Sequence, residues 1–324
     1  MKVTKGFITG GERILLNRYS AMGDVLEVFP FAKALKEAYP EIHLTWFVAT
    51  PWDEFVRCQP YVDDVIVWNQ KSRNVNFIKS ILEVRKRKFD KLLCFQGTDR
   101  GALLSLLSGI PVRVGTHRWA KFAYTHNARD VAKFLGLKNC KRPWVYVTKE
   151  AEFKAREIRS KVDGPLLFSI IGASKTVKRW PAKRWIELSH RLKLLGWGLV
   201  LIGHGKEEET IASEIVGNAK GVQVINLVGQ LSLVETAALA RECDAALGGD
   251  TGFMHLVKLI GLPAVGLFGP TLPEQVGLAE IESALVSSCE KVGCGNWECP
   301  NQECLGSIKS NEVADALEKV LRKP

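Results

Sequence analysis

The chain has 324 residues, 46% of them hydrophobic and 25% charged, with a formal net charge of +10. That length suits two domains of about 150 residues rather than one core, and the composition is that of a globular protein. It excludes a membrane-spanning protein, because no run reaches the roughly 18 apolar residues of a span, and residues 1–6 lack a signal-peptide core; a cytoplasmic protein is expected. The positive charge favours acidic partners such as phosphates or an anionic membrane face. Nucleic acid is not among them, since no zinc-finger, helix-turn-helix or RNA-platform signature occurs.

In chain order, an apolar strand at 14–19 runs into the loop Ser20-Ala21-Met22-Gly23-Asp24, followed by a helix at 25–39 and a strand at 42–48. Apolar runs at 62–68 and 91–95 then alternate with helical periodicity at 76–88 and 100–108. Near 141–151 the motif Arg142-Pro143-Trp144 interrupts the pattern and marks a domain join. The second half repeats the scheme, with strands at 166–171, 198–202, 222–226, 245–247 and 264–268. Helices at 182–195, 207–217, 233–241 and 253–260 separate them. Strands alternating with helices imply βαβ units and doubly wound parallel sheets, whose ligands sit at the carboxyl ends of the strands. The expected domains are 1–148 and 149–308, with a last helix at 309–324 crossing back to join the first.

The most informative stretch is Leu247-Gly248-Gly249-Asp250-Thr251-Gly252-Phe253-Met254-His255. A glycine-bounded turn from strand to helix turns backbone N–H groups and the positive end of the helix dipole toward one point, which favours a diphosphate. Thr251 and Gly252 would offer N–H groups there, and His255, one turn on, can face the same ligand. Asp250 repels phosphate and is expected to hold the loop or meet a sugar hydroxyl. An ordinary capped helix with a packed histidine is the competing reading. No G-x-G-x-x-G follows the first strand of either half, which argues against a dinucleotide-dependent dehydrogenase and leaves a two-domain transferase.

Five segments together resemble glycosyltransferase family 9, the ADP-heptose:lipopolysaccharide heptosyltransferases. They are Arg18-Tyr19-Ser20-Ala21-Met22-Gly23-Asp24-Val25-Leu26, Lys178-Arg179-Trp180-Pro181, Asn226-Leu227-Val228-Gly229-Gln230-Leu231-Ser232-Leu233, Gly249-Asp250-Thr251-Gly252-Phe253-Met254-His255 and Leu267-Phe268-Gly269-Pro270-Thr271. The resemblance implies a GT-B fold, two Rossmann-like domains facing across a cleft. It also implies inverting, metal-independent transfer of a heptose from ADP-heptose to a sugar hydroxyl of the lipopolysaccharide inner core. Such chemistry needs a base on the acceptor hydroxyl and charge stabilisation on the departing diphosphate. Asp24 suits the first role, with a plain helix cap as the alternative. Lys178 suits the second, with a solvated lysine as the alternative, and Ser174 in the same loop can donate to phosphate. No metal-binding Asp-x-Asp triplet is present.

Adenine and ribose are expected near Gly203-His204-Gly205-Lys206-Glu207 and Gln230-Leu231, and the acceptor near Gln96-Gly97-Thr98-Asp99-Arg100. Arg100, Arg113 and Arg118 are candidates for acidic sugars or phosphates, since a guanidinium fork suits them. Cys289, Cys294, Cys299 and Cys304 recur every five residues before the last helix. Four thiolates can hold structural zinc or iron, but paired C-x2-4-C knuckles are absent, so free or packed thiols are preferred and no metal is assigned. Two other functions stay open: transfer of another nucleotide-linked sugar, or transfer to protein or a different glycan, and a non-catalytic nucleotide-sugar-binding or assembly module.

Overall fold

The computed structural model describes residues 6–70, 73–137, 145–299 and 304–321. Residues 1–5, Cys140 and the Arg142-Pro143-Trp144 junction lie outside them. The chain divides into two compact units, Met1–Tyr146 and Val147–Pro324.

The first unit runs β1 (Arg13–Asn17), α1 (Met22–Glu27), α2 (Phe29–Ala38), β2 (His43–Ala49), α3 (Asp53–Arg57), β3 (Asp64–Trp68), α4 (Arg73–Arg87) and β4 (Lys91–Cys94). It continues with α5 (Asp99–Leu107), β5 (Val112–Gly115), β6 (His126–Asn127) and α6 (Val131–Leu135). Its six parallel strands lie in the order β3-β2-β1-β4-β5-β6. Leu15, Leu92, Phe47 and Ile66 are fully buried or nearly so beneath α4 and α5, which explains why these strands read as continuous apolar runs.

The second unit contains α7 (Lys149–Arg159), β7 (Leu166–Ile170), α8 (Ala182–Leu194), β8 (Gly198–Ile202), α9 (Lys206–Asn218), β9 (Val224–Asn226) and α10 (Leu233–Arg241). Then come β10 (Ala245–Gly249), α11 (Gly252–Ile260), β11 (Ala264–Phe268), β12 (Ser283–Val286) and α12 (Ser310–Leu321). Its strand order, β12-β11-β10-β7-β8-β9, is that of the first sheet read from the other end. Each unit therefore has a switch point, at β1/β4 and at β7/β10, where successive connections leave the sheet in opposite directions and a crevice opens.

Three expectations differ from what is observed. The single helix at 25–39 is two helices that part at Val28, because Pro30 in the first turn of α2 donates no backbone N–H and would clash with the carbonyl four residues back. Short elements escaped periodicity altogether, among them α3, α6 and the edge strand β12. The last helix does not join the first unit. Val313, Leu317 and Val320 of α12 are buried in the core of the second unit against α8 and β11. Trp180 Nε1 also donates to the Ile308 carbonyl at 3.0 Å and Ser310 Oγ to Glu187 at 3.2 Å, which pins the approach to the helix. An apolar stripe facing a matching stripe on α8 decided its place.

Candidate active site

In the first unit the loop after β1 is fixed from three sides. Trp46 Nε1, from β2, donates to the Arg18 carbonyl at 2.9 Å, and Arg18 donates to the Phe95 carbonyl at 2.6 Å. The Tyr19 N–H reaches the buried Gln96 side chain at 3.3 Å, so Gln96 is part of the scaffold rather than an acceptor contact. Asp24 lies in the first turn of α1, where its carboxylate accepts the Ala21 N–H at 3.0 Å and pairs with the Arg18 guanidinium. Its side chain stays 46% exposed, so a carboxylate held in one rotamer still faces solvent. It caps the helix and remains open to solvent.

The three arginine candidates separate. Arg113 spends its guanidinium on the Ala123 and Ile110 carbonyls at 2.8 and 2.6 Å, which makes it structural. Arg100 stacks on Trp68 and Arg118 on the exposed Trp119, at 5.7 and 4.9 Å from the ring centroids. Arg118, Lys121 and Arg129 also line a cavity of about 620 Å³ with His117.

In the second unit three strand ends converge. The loop after β7 carries Ser174, a one-turn 3-10 helix at Thr176–Lys178, and Arg179. Gly249, at the end of β10, lets that loop come close: a Cβ there would lie 2.6 Å from the Lys178 carbonyl oxygen. Lys178 Nζ reaches the Asp250 carboxylate at 2.5 Å, with side chains only 15% and 9% exposed. Thr271 Oγ1, from the loop after β11, donates to the same carboxylate oxygen at 3.0 Å. Asp250 therefore ties the loop after β7 to the loop after β11. Lys178 is not a solvated lysine. Its ammonium also lies 4.5 Å from the ring centroid of Trp297, which the cysteine loop supplies.

Thr251 is the N-cap of α11, yet its side chain makes no capping bond. Its Oγ1 is buried and has no hydrogen-bond partner among the described residues. A buried hydroxyl left unsatisfied costs about 1–3 kcal/mol. Gly252 is the first residue of α11, its N–H among the orphan donors of a helix start, and the half-buried His255 follows one turn on.

A cavity of about 560 Å³ is lined by Ser174, Thr176, Arg179, His204, Lys206 and Trp297, among others. Of the expected site residues Ser174 is in the cavity lining; Lys178 lies against its Trp297 wall and pairs with Asp250, while Asp250, Thr251, Gly252 and His255 are outside the lining. Glu208, in the first turn of α9, joins the two loops that frame the cavity. It accepts the Ala173 N–H at 3.0 Å and the His204 N–H at 2.6 Å, and lies 3.5 Å from Arg179. Gly172 leaves room for it, since a Cβ there would fall 1.9 Å from its carboxylate. Gln230 turns its amide onto the Asn226 carbonyl at 3.0 Å.

Sequence reasoning missed Arg18, Glu208, Thr271 and Trp297 as site components. Thr271 and Trp297 lay inside segments already singled out, the Leu267–Thr271 motif by its residues and the cysteine loop by its spacing; nothing local to Glu208 distinguishes it from Glu207 and Glu209. The cysteine loop is tied to the site by the Gly293 and Gly295 N–H groups, each donating at 2.8 Å to Gly269 and Pro270. Within it the Cys304 thiol is pushed up by burial, with Cys289 and Cys294 close enough to add to the effect. Among the described residues no group of three or more His, Cys, Asp or Glu side chains converges on a metal position.

A doubly wound sheet whose switch point carries a cationic loop and a helix start offers a crevice suited to an anionic group. The description "Glycosyltransferase family 9 (heptosyltransferase)" matches residues 77–305, so the chain belongs to that family. Lipopolysaccharide heptosyltransferase 1 of Pseudomonas aeruginosa is 24% identical over 295 residues, covering 82% of this chain and 81% of its own. The crystal structure of a family 9 glycosyltransferase from Veillonella parvula superposes with a TM-score of 0.86 at 23% identity, covering 99% of this chain and all of its own. The Escherichia coli ADP-heptose lipopolysaccharide heptosyltransferase II does so with a TM-score of 0.77 at 20% identity, covering 95% and 98%. Both share the GT-B fold with this chain, two doubly wound parallel α/β units.

Proposed function

We propose that this chain is an inverting, metal-independent heptosyltransferase that moves a heptose from ADP-heptose to a sugar hydroxyl of the lipopolysaccharide inner core, at the cytoplasmic face of the membrane. Asp24 takes the acceptor proton as the acceptor oxygen bonds to the anomeric carbon. The bond from that carbon to the diphosphate breaks on the opposite side, and its electron pair leaves with ADP. The developing charge meets the Lys178 ammonium, the Thr251 hydroxyl, the Thr251 and Gly252 N–H groups and His255, with Ser174 a further donor. An ammonium has three N–H donors, and Thr271 shares the work of satisfying Asp250, so Lys178 keeps hydrogens for a phosphate oxygen. These donors do the work that a divalent ion performs elsewhere.

The observation that carries the reading is the buried, unpartnered Thr251 hydroxyl at the start of α11, beside a lysine locked in place by Asp250. Family membership and the ADP-heptose donor named for the E. coli structure support the donor assignment. The test is ADP release from ADP-heptose with a deacylated, heptose-free core acceptor, with and without EDTA. Turnover that survives EDTA, and stabilisation by ADP-sugars but not by UDP- or GDP-sugars, is the expected result. A donor at 100-fold excess over its Kd raises stability by about 2.7 kcal/mol. No transfer to that acceptor, or a requirement for a divalent ion, overturns the assignment.

A further inference from the structure

The two long helices on one face of the first sheet are apolar on both sides. α4 buries Phe77, Ile81 and Val84, yet it also leaves Val75, Ile78 and Leu82 between 58% and 60% exposed, a second stripe at helical spacing. α5 repeats this, burying Ala102 and Leu104 while Leu103, Leu106 and Leu107 remain exposed. The stripes are neighbours: both helices cover one core cluster, and Arg85 of α4 donates to the Leu107 carbonyl at 3.3 Å. Beside α5 the loop after β5 packs its Lys121–Ala123 turn and leaves Trp119 and Phe122 at 77% and 72% exposure. Singly exposed apolar side chains are ordinary, but adjoining stripes on one face mark an interaction surface.

Charge says what covers it. Lys79, Arg85 and Lys86 flank the α4 stripe as exposed cations. Arg118, Lys121 and Arg129 line the cavity beside Trp119, and no carboxylate contributes to its wall. Of the nearby acids, Glu83 pairs with Arg87 at 2.6 Å and Asp99 lies 3.1 Å from His117. Apolar stripes ringed by cations, with a tryptophan and a phenylalanine at the rim, complement the headgroup region of an anionic bilayer.

We propose that the face formed by α4, α5 and the loop at 116–122 docks on an anionic phospholipid bilayer, with Trp119 and Phe122 inserted at the interface. The inference rests on the reading of a lipid-borne acceptor for its purpose, but its test contains neither donor nor acceptor. A failure here therefore leaves transfer to the deacylated acceptor standing, and failed transfer leaves the docking surface standing.

The full chain is sedimented with vesicles of phosphatidylglycerol and phosphatidylcholine in equal parts, and with phosphatidylcholine alone. Binding to the mixed vesicles is expected to be at least about tenfold tighter and to weaken as salt is added. The pair Trp119→Ser/Phe122→Ser, fully folded because both side chains are exposed, lowers that affinity by about tenfold or more, and Ile78→Asn/Leu82→Asn lowers it too. Leu194→Ser, which removes a side chain 85% exposed in the second unit, leaves it unchanged. Equal binding to both vesicle types, or undiminished binding by both double variants, overturns the proposal. So does a dimer in sedimentation velocity that Trp119→Ser/Phe122→Ser dissolves, which assigns the face to a second copy of the chain.

Discussion

The two switch points are built from the same parts and behave differently. At β1/β4 an acid, Asp24, is paired with an arginine and stays about half exposed; at β7/β10 an acid, Asp250, is paired with a lysine and is almost entirely buried. The two sheets share one strand order, but the acids follow different members of it, Asp24 the first strand of its unit and Asp250 the fourth of its own, each beside the switch point. Their solvation differs too. A half-exposed carboxylate keeps lone pairs for an incoming proton, whereas a buried one between an ammonium and the Thr271 hydroxyl is committed to holding the lysine. Unequal burial beside a switch point thus separates a candidate base from a positioning residue.

Substitution can break that contrast. Asp24→Asn should lower kcat by about 10²–10⁴, the usual contribution of a general base, while its melting temperature moves little because an exposed pair contributes about 1 kcal/mol or less. An unchanged kcat removes the base assignment. Lys178→Ala should do two things. Turnover should fall by about 10²–10³, and urea denaturation should show a loss of about 3 kcal/mol, since Asp250 is left as a buried charge without its cation. The double variant Lys178→Met/Asp250→Asn should recover the stability and none of the turnover. Recovery of both would show that Lys178 serves only the fold.

A smaller effect sharpens the donor side. Thr251→Val keeps the shape and removes a hydroxyl that nothing among the described residues satisfies. ADP affinity by calorimetry should fall by about tenfold while stability holds or rises slightly, as expected when a buried unpaired group is replaced by an apolar one. A loss of stability with unchanged ADP binding would mean the hydroxyl belongs to the fold.

The smallest effect lies away from both sites. Burial raises the Glu235 carboxyl, but hydrogen bonds from Lys154 and the Ser232 N–H outweigh it and hold the group below its ordinary value. A carboxyl lowered by folding stabilises the protein above its unfolded value of about 4.3, and that contribution is lost as pH falls through the folded value. Lys154→Met should therefore cost well under 1 kcal/mol at neutral pH, because the pair is partly exposed, and the difference should vanish in acid. A difference that grows on acidification would refute the pairing.

The strands that form the two sheet centres were legible because buried parallel strands are continuous apolar runs, as at 14–17, 91–94, 166–170 and 198–202. Asp24, Lys178, Ser174 and the Asp250–His255 turn were legible because each follows such a strand. Arg18 as the partner of Asp24 was not, since an arginine beside a loop has many possible partners. Lys178 meets Asp250 across 72 positions, a pairing that local spacing does not encode. Trp297 and Glu208 enter the site only because the cysteine loop and α9 fold against it.

Taken by itself, the chain's residue order determined the two-sheet architecture, the positions of the strand-to-helix turns and the family to which the chain belongs. These are local properties, set by apolar periodicity and by glycines at strand ends. The tertiary structure decided which acid is buried, which arginine is structural, where the last helix packs and which helical faces stay uncovered. Those outcomes depend on what distant segments leave exposed to water, and desolvation is a property of the assembled neighbourhood rather than of any residue in it.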